Sequence, residues 1–171
     1  MTKMRLGDIY EFQFGEGNTN PSNDGQFPVY GSNGIIGHYT IFNSEDAPII
    51  GHIGANAGCV VYGYGKHFVT YNGIICKVKD GFDKMYAYYL LHTLKLQERA
   101  KGSAQPFLTY DMLNNINIEN VLSLDAQQKA GRILCDIDAQ IQRNNDMVHK
   151  LQLNDTTISC FSMKGKMRYA S

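Results

Sequence analysis

Two glycine-rich stretches, Gly31–Gly37 (GSNGIIG) and Gly51–Gly58 (GHIGANAG), are the first places to look for chemistry. Backbone N–H groups in such a stretch hold a phosphate when the stretch opens a helix, because the helix dipole adds to them. Neither stretch has the required form. A P-loop needs G-x-x-x-x-G-K-[ST]. The nearest approach, Gly65-Lys66, is followed by His67, and Val60 stands where the first glycine belongs. A dinucleotide loop needs G-x-G-x-x-G ahead of a helix, whereas strand-like residues follow GSNGIIG. The glycines are therefore expected to serve as corners and bulges between strands.

Other chemistry is missing in the same way. There is no G-x-S-x-G and no cysteine with an evident histidine partner. Methyl transfer to a DNA base would need an Asn/Asp-Pro-Pro-aromatic motif, and Asn20–Asn23 (NPSN) lacks the second proline and the ring. No carboxylate cluster with a lysine suggests a nuclease. Cys59, Cys76, Cys135 and Cys160 form no C-x-x-C pair, so they read as buried thiols of a reducing compartment rather than metal ligands. His52 and His67 lie in apolar or aromatic surroundings and read as structural. No catalytic residue, metal or cofactor is expected, which leaves a binding module.

Charge narrows the partner. The chain carries 16 basic and 16 acidic side chains, so no bulk electrostatic grip on nucleic acid is expected. The distribution is uneven. Residues 1–61 hold two basic side chains against six acidic, and residues 62–110 hold seven basic (Lys66, Lys77, Lys79, Lys84, Lys95, Arg99, Lys101) against three acidic. One segment can thus turn a basic face to phosphates. No apolar run approaches the ~20 residues that span a bilayer. Asp8 and Glu11 stand where a signal peptide would be oily. A soluble, cytoplasmic protein with no membrane partner is expected.

Stepping along the chain, short runs rich in Val, Ile, Tyr and Phe alternate with turn residues as far as residue 80: FPVYG, GIIGHYTIF, APIIGHI, CVVYGY, HFVTY and GIICKV. They predict a mostly antiparallel β unit. DKMYAYYLLHTLKLQERAKG then changes to a helical period, with Asp83 as N-cap and Gly102 as stop. A short helix begins at Thr109, and INIENV resembles a last extended segment. From Asp125, which forms a capping box with Gln128, the residues Ala130, Leu134, Ile137, Ile141, Asn144, Val148, Leu151, Asp155 and Ile158 recur in steps of four and three. That is a heptad seam. A helix over 125–161 would be roughly 55 Å long at 1.5 Å per residue. Its seam needs a second helix to cover it, and a buried Asn144 would set register and partner number. The fold class is α+β: a mostly β domain with short helices over 1–122, one long coiled-coil helix over 123–162 and a basic polar tail over 163–171.

The ordered set MRLGDIYEFQFG, FPVYGSNGIIGHY, APIIGHIGANAGCVVY, TYNGIICKV, YYLLHTL, KGSAQPFLTYDMLNNINI and DAQQKAGRILCDIDAQI resembles the DNA-specificity (S) subunits of type I restriction–modification systems. The likeness covers about residues 4–145, and G-S-A-Q-P-x-L followed by the Q-Q helix is its strongest pair. It implies a target recognition domain followed by a long helix. Full-length members carry two such units, whose helices pack antiparallel so that each domain reads half of a split DNA target. The family's S subunits are not catalytic; they recruit methyltransferase (M) subunits, and restriction (R) subunits bind that complex. This chain has one unit, and Val121-Leu122-Ser123-Leu124 stands where many members have a proline-rich link.

Together the seam and the resemblance lead to a homodimer, with Leu134, Ile137, Ile141, Asn144, Val148, Leu151 and Ile158 at its interface. The target would be double-stranded DNA with a palindromic, bipartite site, its halves separated by roughly 16 bp at 3.4 Å per step. Candidates for DNA contact are Lys66, Lys101, Ser103 and Gln105, then Tyr64 and Asn33. Gln105 can pair with an adenine edge and Lys101 with a guanine or a phosphate; Ser103 and Gln105 can equally brace a turn. The alternative is a structural or decoy partner of M subunits that does not itself read DNA.

Overall fold

The computed structural model describes residues 4–17 and 24–167, with the side chains of the last helix described as far as Gln152. The chain divides into two compact units at Gly131/Arg132. The first contains β1 (Met4–Arg5), the single turn α1 (Leu6–Ile9), β2 (Tyr10–Phe14), β3 (Phe27–Tyr30), β4 (Ile35–Tyr39), β5 (Ser44–Gly51), β6 (Val60–Val69), β7 (Gly73–Val78), α2 (Lys84–Thr93), α3 (Leu96–Arg99), α4 (Tyr110–Asn114) and β8 (Asn117–Ile118). It also holds the first two turns of α5 (Leu124–Met167), which continues as the second unit. The α+β class expected from the sequence is the class observed.

Six strands form one sheet in the order β2-β7-β5-β6-β3-β4. Every pairing in it is antiparallel except β3 with β6. The central β7 (GIICKV) shows why an apolar run belongs in the middle. Strand side chains alternate between faces. Ile74 and Cys76 enter one core with Leu6, Ile9, Ile50, Leu91, Leu108 and Leu113. Ile75 enters a second with Tyr30, Ala47, Ile49 and Val69. Ile49, Ile50, Ile74 and Ile75 are all fully buried, each worth about 1.5–3 kcal/mol of apolar burial.

The second core exists because β5 and β6 bend together. Their register passes from Ala47↔Gly63 to Glu45↔Lys66, leaving Asp46 opposite both Tyr64 and Gly65. Asp46 (φ 44°) and Gly65 (φ 57°) are left-handed there. Past the bend β6 returns over the sheet. A Cβ on Gly73, which starts β7, would lie 2.7 Å from a Val69 methyl and 3.1 Å from one of Ile49. The bulge thus makes a corner, and one strand serves two layers.

Helices cover the other face. Asp83 caps α2 as expected, accepting from Tyr86 N at 2.8 Å. Thr109 caps α4 through Met112 N at 3.3 Å. Gln127, 2% exposed, ties the start of α5 into this unit: its Oε1 accepts from Asp83 N (2.9 Å) and its Nε2 donates to the Leu122 carbonyl (2.8 Å).

Four expectations need correction. The helix from Asp83 does not run to Gly102; it stops at Thr93, and Lys95 in the left-handed region (φ 49°) breaks the axis before α3. CVVYGY and HFVTY belong to one strand, β6, because Gly63 stays in register with Ala47 and Gly65 sits in a bulge rather than a turn. YEFQF, not expected as a strand, is β2, paired with β7 along its whole length. Asp125 lies in the first turn of α5, not at its cap, so it does not open a capping box with Gln128. The α5 backbone continues past residue 161 to Met167. Asn20–Asn23 lies outside the described residues, as do residues 168–171 of the tail.

Candidate nucleic-acid interface

The glycine stretches settle into the roles expected of them. The N–H groups of Gly31, Gly51, Gly54 and Gly58 donate to the carbonyls of Gly34 (3.0 Å), Cys59 (2.8 Å), Pro106 (2.8 Å) and Gly51 (2.9 Å). Donors already spent on the protein cannot hold a phosphate. The two stretches also abut: a Cβ on Gly51 would lie 2.5 Å from the Ser32 carbonyl oxygen.

Beside them stands a hairpin made by Lys101–Phe107. Lys101 and Phe107 exchange two backbone hydrogen bonds, 3.0 and 2.8 Å. Gly102 makes the corner at φ 100°, where a Cβ would strike the Gln105 carbonyl at 2.6 Å. Phe107 is bridged to Ile53, and Leu108 N donates to the His52 carbonyl at 3.0 Å. Backbone therefore braces this turn. The side chains of Lys101, Ser103 and Gln105 are exposed and free to meet a partner. Asn33, also exposed, lies on the neighbouring glycine stretch. These four gather at the Gly51 end of β5.

Tyr64 and Lys66 do not join them. They sit at the bent end of β5, separated from Gly51 by the Ala47–Gly51 segment, about 13 Å of strand. Gly65 N donates to Asp46 Oδ1 (2.8 Å) and Tyr62 Oη donates to the Asp46 carbonyl (3.1 Å), which locks the corner. A non-glycine residue in the left-handed region costs about 1–3 kcal/mol. Lys66 Nζ lies 4.7 Å over the Phe42 ring, a cation–π contact. Under the corner His67 is fully buried; its Nδ1 bonds the Gly65 carbonyl at 2.8 Å and its Nε2 has no partner. Burial holds this imidazole below its ordinary pKa, against weaker opposing effects of the Gly65 carbonyl, Asp46 and Glu45. His52, likewise buried, bonds the Leu108 carbonyl through Nδ1 at 2.8 Å. Both histidines are thus buried, each with one ring nitrogen bonded to a backbone carbonyl.

Sequence reasoning passed over the rings beside this corner. Tyr64 and Tyr62 are 4.6 Å apart, Tyr62 and Tyr88 5.4 Å, and Tyr88 and His92 4.7 Å. The spacing was legible: Tyr62 and Tyr64 are two apart on a strand, and Tyr88 and His92 four apart on a helix. What joins the pairs is the packing of α2 on β6. Among the described residues no group of three or more His, Cys, Asp or Glu could hold a metal ion, and no helix is long and apolar enough to cross a membrane.

From Arg132 to Gln152 no side chain of α5 is buried. The expected seam is solvent-facing in the single chain: Leu134 37%, Ile137 46%, Ile141 52%, Val148 52% and Leu151 59% exposed. Asn144 is exposed on the same helix, and the side chains of Asp155 and Ile158 lie outside the described residues. Ile133 and Met147, absent from the expected seam, are exposed apolar residues as well. Each stands four residues before a seam position, Ile137 and Leu151, and so widens the stripe.

The first unit is a mixed sheet with exposed polar turns, and the described part of the helix that follows carries an exposed apolar stripe. Comparison gives the family. Residues 1–152 match the type I restriction modification DNA specificity domain, and the chain belongs to that family. It is 31% identical over 94 residues to the type I restriction enzyme EcoprrI specificity subunit of Escherichia coli, covering 54% of this chain and 23% of that one. It resembles the S subunit of a type I restriction–modification system from M. genitalium, with a TM-score of 0.73 and 17% identity over 83% of this chain and 40% of the other. It also resembles the HsdS subunit of Thermoanaerobacter tengcongensis, with a TM-score of 0.60 and 16% identity over 82% and 38%. The chain thus spans less than half the length of these relatives.

Proposed function

We propose that this chain is a non-catalytic DNA-recognition subunit of a type I restriction–modification complex that becomes complete by pairing with a second copy. Antiparallel contact between two α5 helices would set two identical recognition units apart. They would read the halves of a palindromic, bipartite site on double-stranded DNA and recruit methyltransferase (M) subunits, with restriction (R) subunits joining that complex in the cytoplasm. The observation that carries this reading is the stripe Leu134, Ile137, Ile141, Val148 and Leu151, exposed at heptad spacing. Apolar side chains so arranged are stabilised by a second helix packed knobs-into-holes. Membership of the DNA specificity family supplies the partner class.

The functional division follows the same line: residues 1–122 recognise, 123–162 pair, and 163–171 form a basic tail. DNA contacts are assigned to Lys101, Ser103, Gln105 and Asn33 at one end of β5 and to Lys66 and Tyr64 at the other. With zero net charge, the chain alone should hold DNA weakly and with a shallow salt slope. The test is molar mass by light scattering, followed by selection from a partly randomised duplex with the cognate M subunit present. A dimer that selects two inverted half-sites supports the proposal. A monomer, or a complex indifferent to sequence, refutes it.

A further inference from the structure

We propose that Tyr64, assisted by Lys66, stacks on a DNA base that has lost a stacking neighbour. The inference rests on the DNA-reading function above. It starts from the corner of β5 and β6, where pairing skips Tyr64 and Gly65 and two left-handed residues hold the bend. The result is a ring 64% exposed, the most exposed aromatic side chain among the described residues. A bulge re-aims a side chain, and here it aims a large apolar ring at water from a locked backbone.

One side of that ring is supported. Tyr62 stands 4.6 Å from it and Tyr88 stands behind Tyr62. Tyr62 meets it at a tilt of 55°, and a ring flanked by others yet largely exposed can serve as a stacking surface. Lys66 adds the charge. Its register partner across the strands is Glu45, yet its ammonium lies over Phe42 and makes no ion pair among the described residues, so it can meet a phosphate. A flat π surface beside a cation held only over the Phe42 ring fits a base and its phosphate better than an acidic peptide, which has no ring to cover. Faces of bases inside an intact duplex are already covered. The base must therefore belong to a single strand, or to a step opened by distortion or flipping.

The chain contains no Trp, so Tyr64→Trp introduces a single tryptophan at the corner that can be excited selectively over the tyrosines. The full-length variant is titrated with a single strand, a duplex carrying one mismatched pair and a fully paired duplex of equal length. Emission should fall by about half or more with the first two and less with the third, as base stacking predicts. Tyr64→Ala should weaken binding to the single strand about 5- to 100-fold while Tyr64→Phe stays within about twofold. Lys66→Ala should reduce the salt slope by about one. Unchanged emission with DNA bound, strongest quenching by the paired duplex, or Tyr64→Ala binding within twofold of wild type each overturns the inference. Wild type that binds none of the three, alone or with the M subunit, refutes the DNA-reading function as well. Wild type that binds while the Tyr64 variants behave like it overturns the stacking role alone. Thermal melting of each variant shows that the fold is kept.

Discussion

The recognition unit and the distal part of α5 solve the problem of apolar surface in opposite ways. In the first, β7 is buried on both faces and two cores meet across the sheet. In the second, from Arg132 to Gln152, no side chain is buried and the apolar residues face solvent. A helix without tertiary contacts is marginal in water, since its stability comes mainly from packing an apolar face. The first unit buries its apolar side chains within itself, and the described part of the second leaves its apolar side chains in solvent.

The largest effect should come from breaking the surface. Ile137→Asp combined with Ile141→Asp places charge in the stripe and should abolish the proposed pairing, leaving a monomer by light scattering. Helix content should fall with it, while the recognition unit keeps its melting transition; a dimer of unchanged mass would contradict the pairing. Leu91→Ala does the converse. Leu91 is fully buried, and its truncation should cost the recognition unit about 2–5 kcal/mol, visible in chemical denaturation, with association intact once the chain is folded.

Gln127→Ala removes both hydrogen bonds that tie the root of α5 to Asp83 and Leu122. Those groups are only partly buried, so losing these bonds should cost about 1 kcal/mol, and Gln127→Glu should rescue little because only the acceptor is kept. A smaller effect follows from His67. Its pKa is lowered in the folded state by burial, so below the ordinary value near 6.5 the unfolded chain binds the extra proton. Stability should thus be full above about pH 6.5 and decline as pH falls through the folded pKa, by at most about 1.4 kcal/mol per pH unit. His67→Gln should flatten that decline. A melting temperature equally pH-dependent in the variant would assign the effect to other groups.

Much of this was readable in advance where the signal is local. Asp83 and Thr109 named their helix starts because a short polar side chain before an apolar run satisfies free N–H groups. The corner roles of the glycines followed from the absence of a helix after them. Misreadings arose where tertiary packing overrode local pattern. Lys95 ends α2 in a left-handed conformation that no sequence rule expects of lysine. YEFQF became a strand because β7 offered an edge to pair with. The glycines of VVYGYGKHFV looked like a break between two strands and are instead a bend within one. The candidate DNA contacts were chosen by residue type and expected position on loops, but their separation into two groups at opposite ends of β5 depends on register.

By itself the amino-acid order determined the periods: alternation of two in the strands, three and four along α5, and with them the fold class and the apolar stripe. These are properties of near neighbours, because backbone geometry places residues i, i+2 or i, i+3, i+4 on one face whatever lies beyond. Only the tertiary structure decided that β6 turns a corner to serve two layers, that Gln127 spans to Asp83, and that Tyr64 leans on Tyr62 with Tyr88 behind. Those contacts join residues distant in the chain, and their energies enter only after loop closure has brought the residues together.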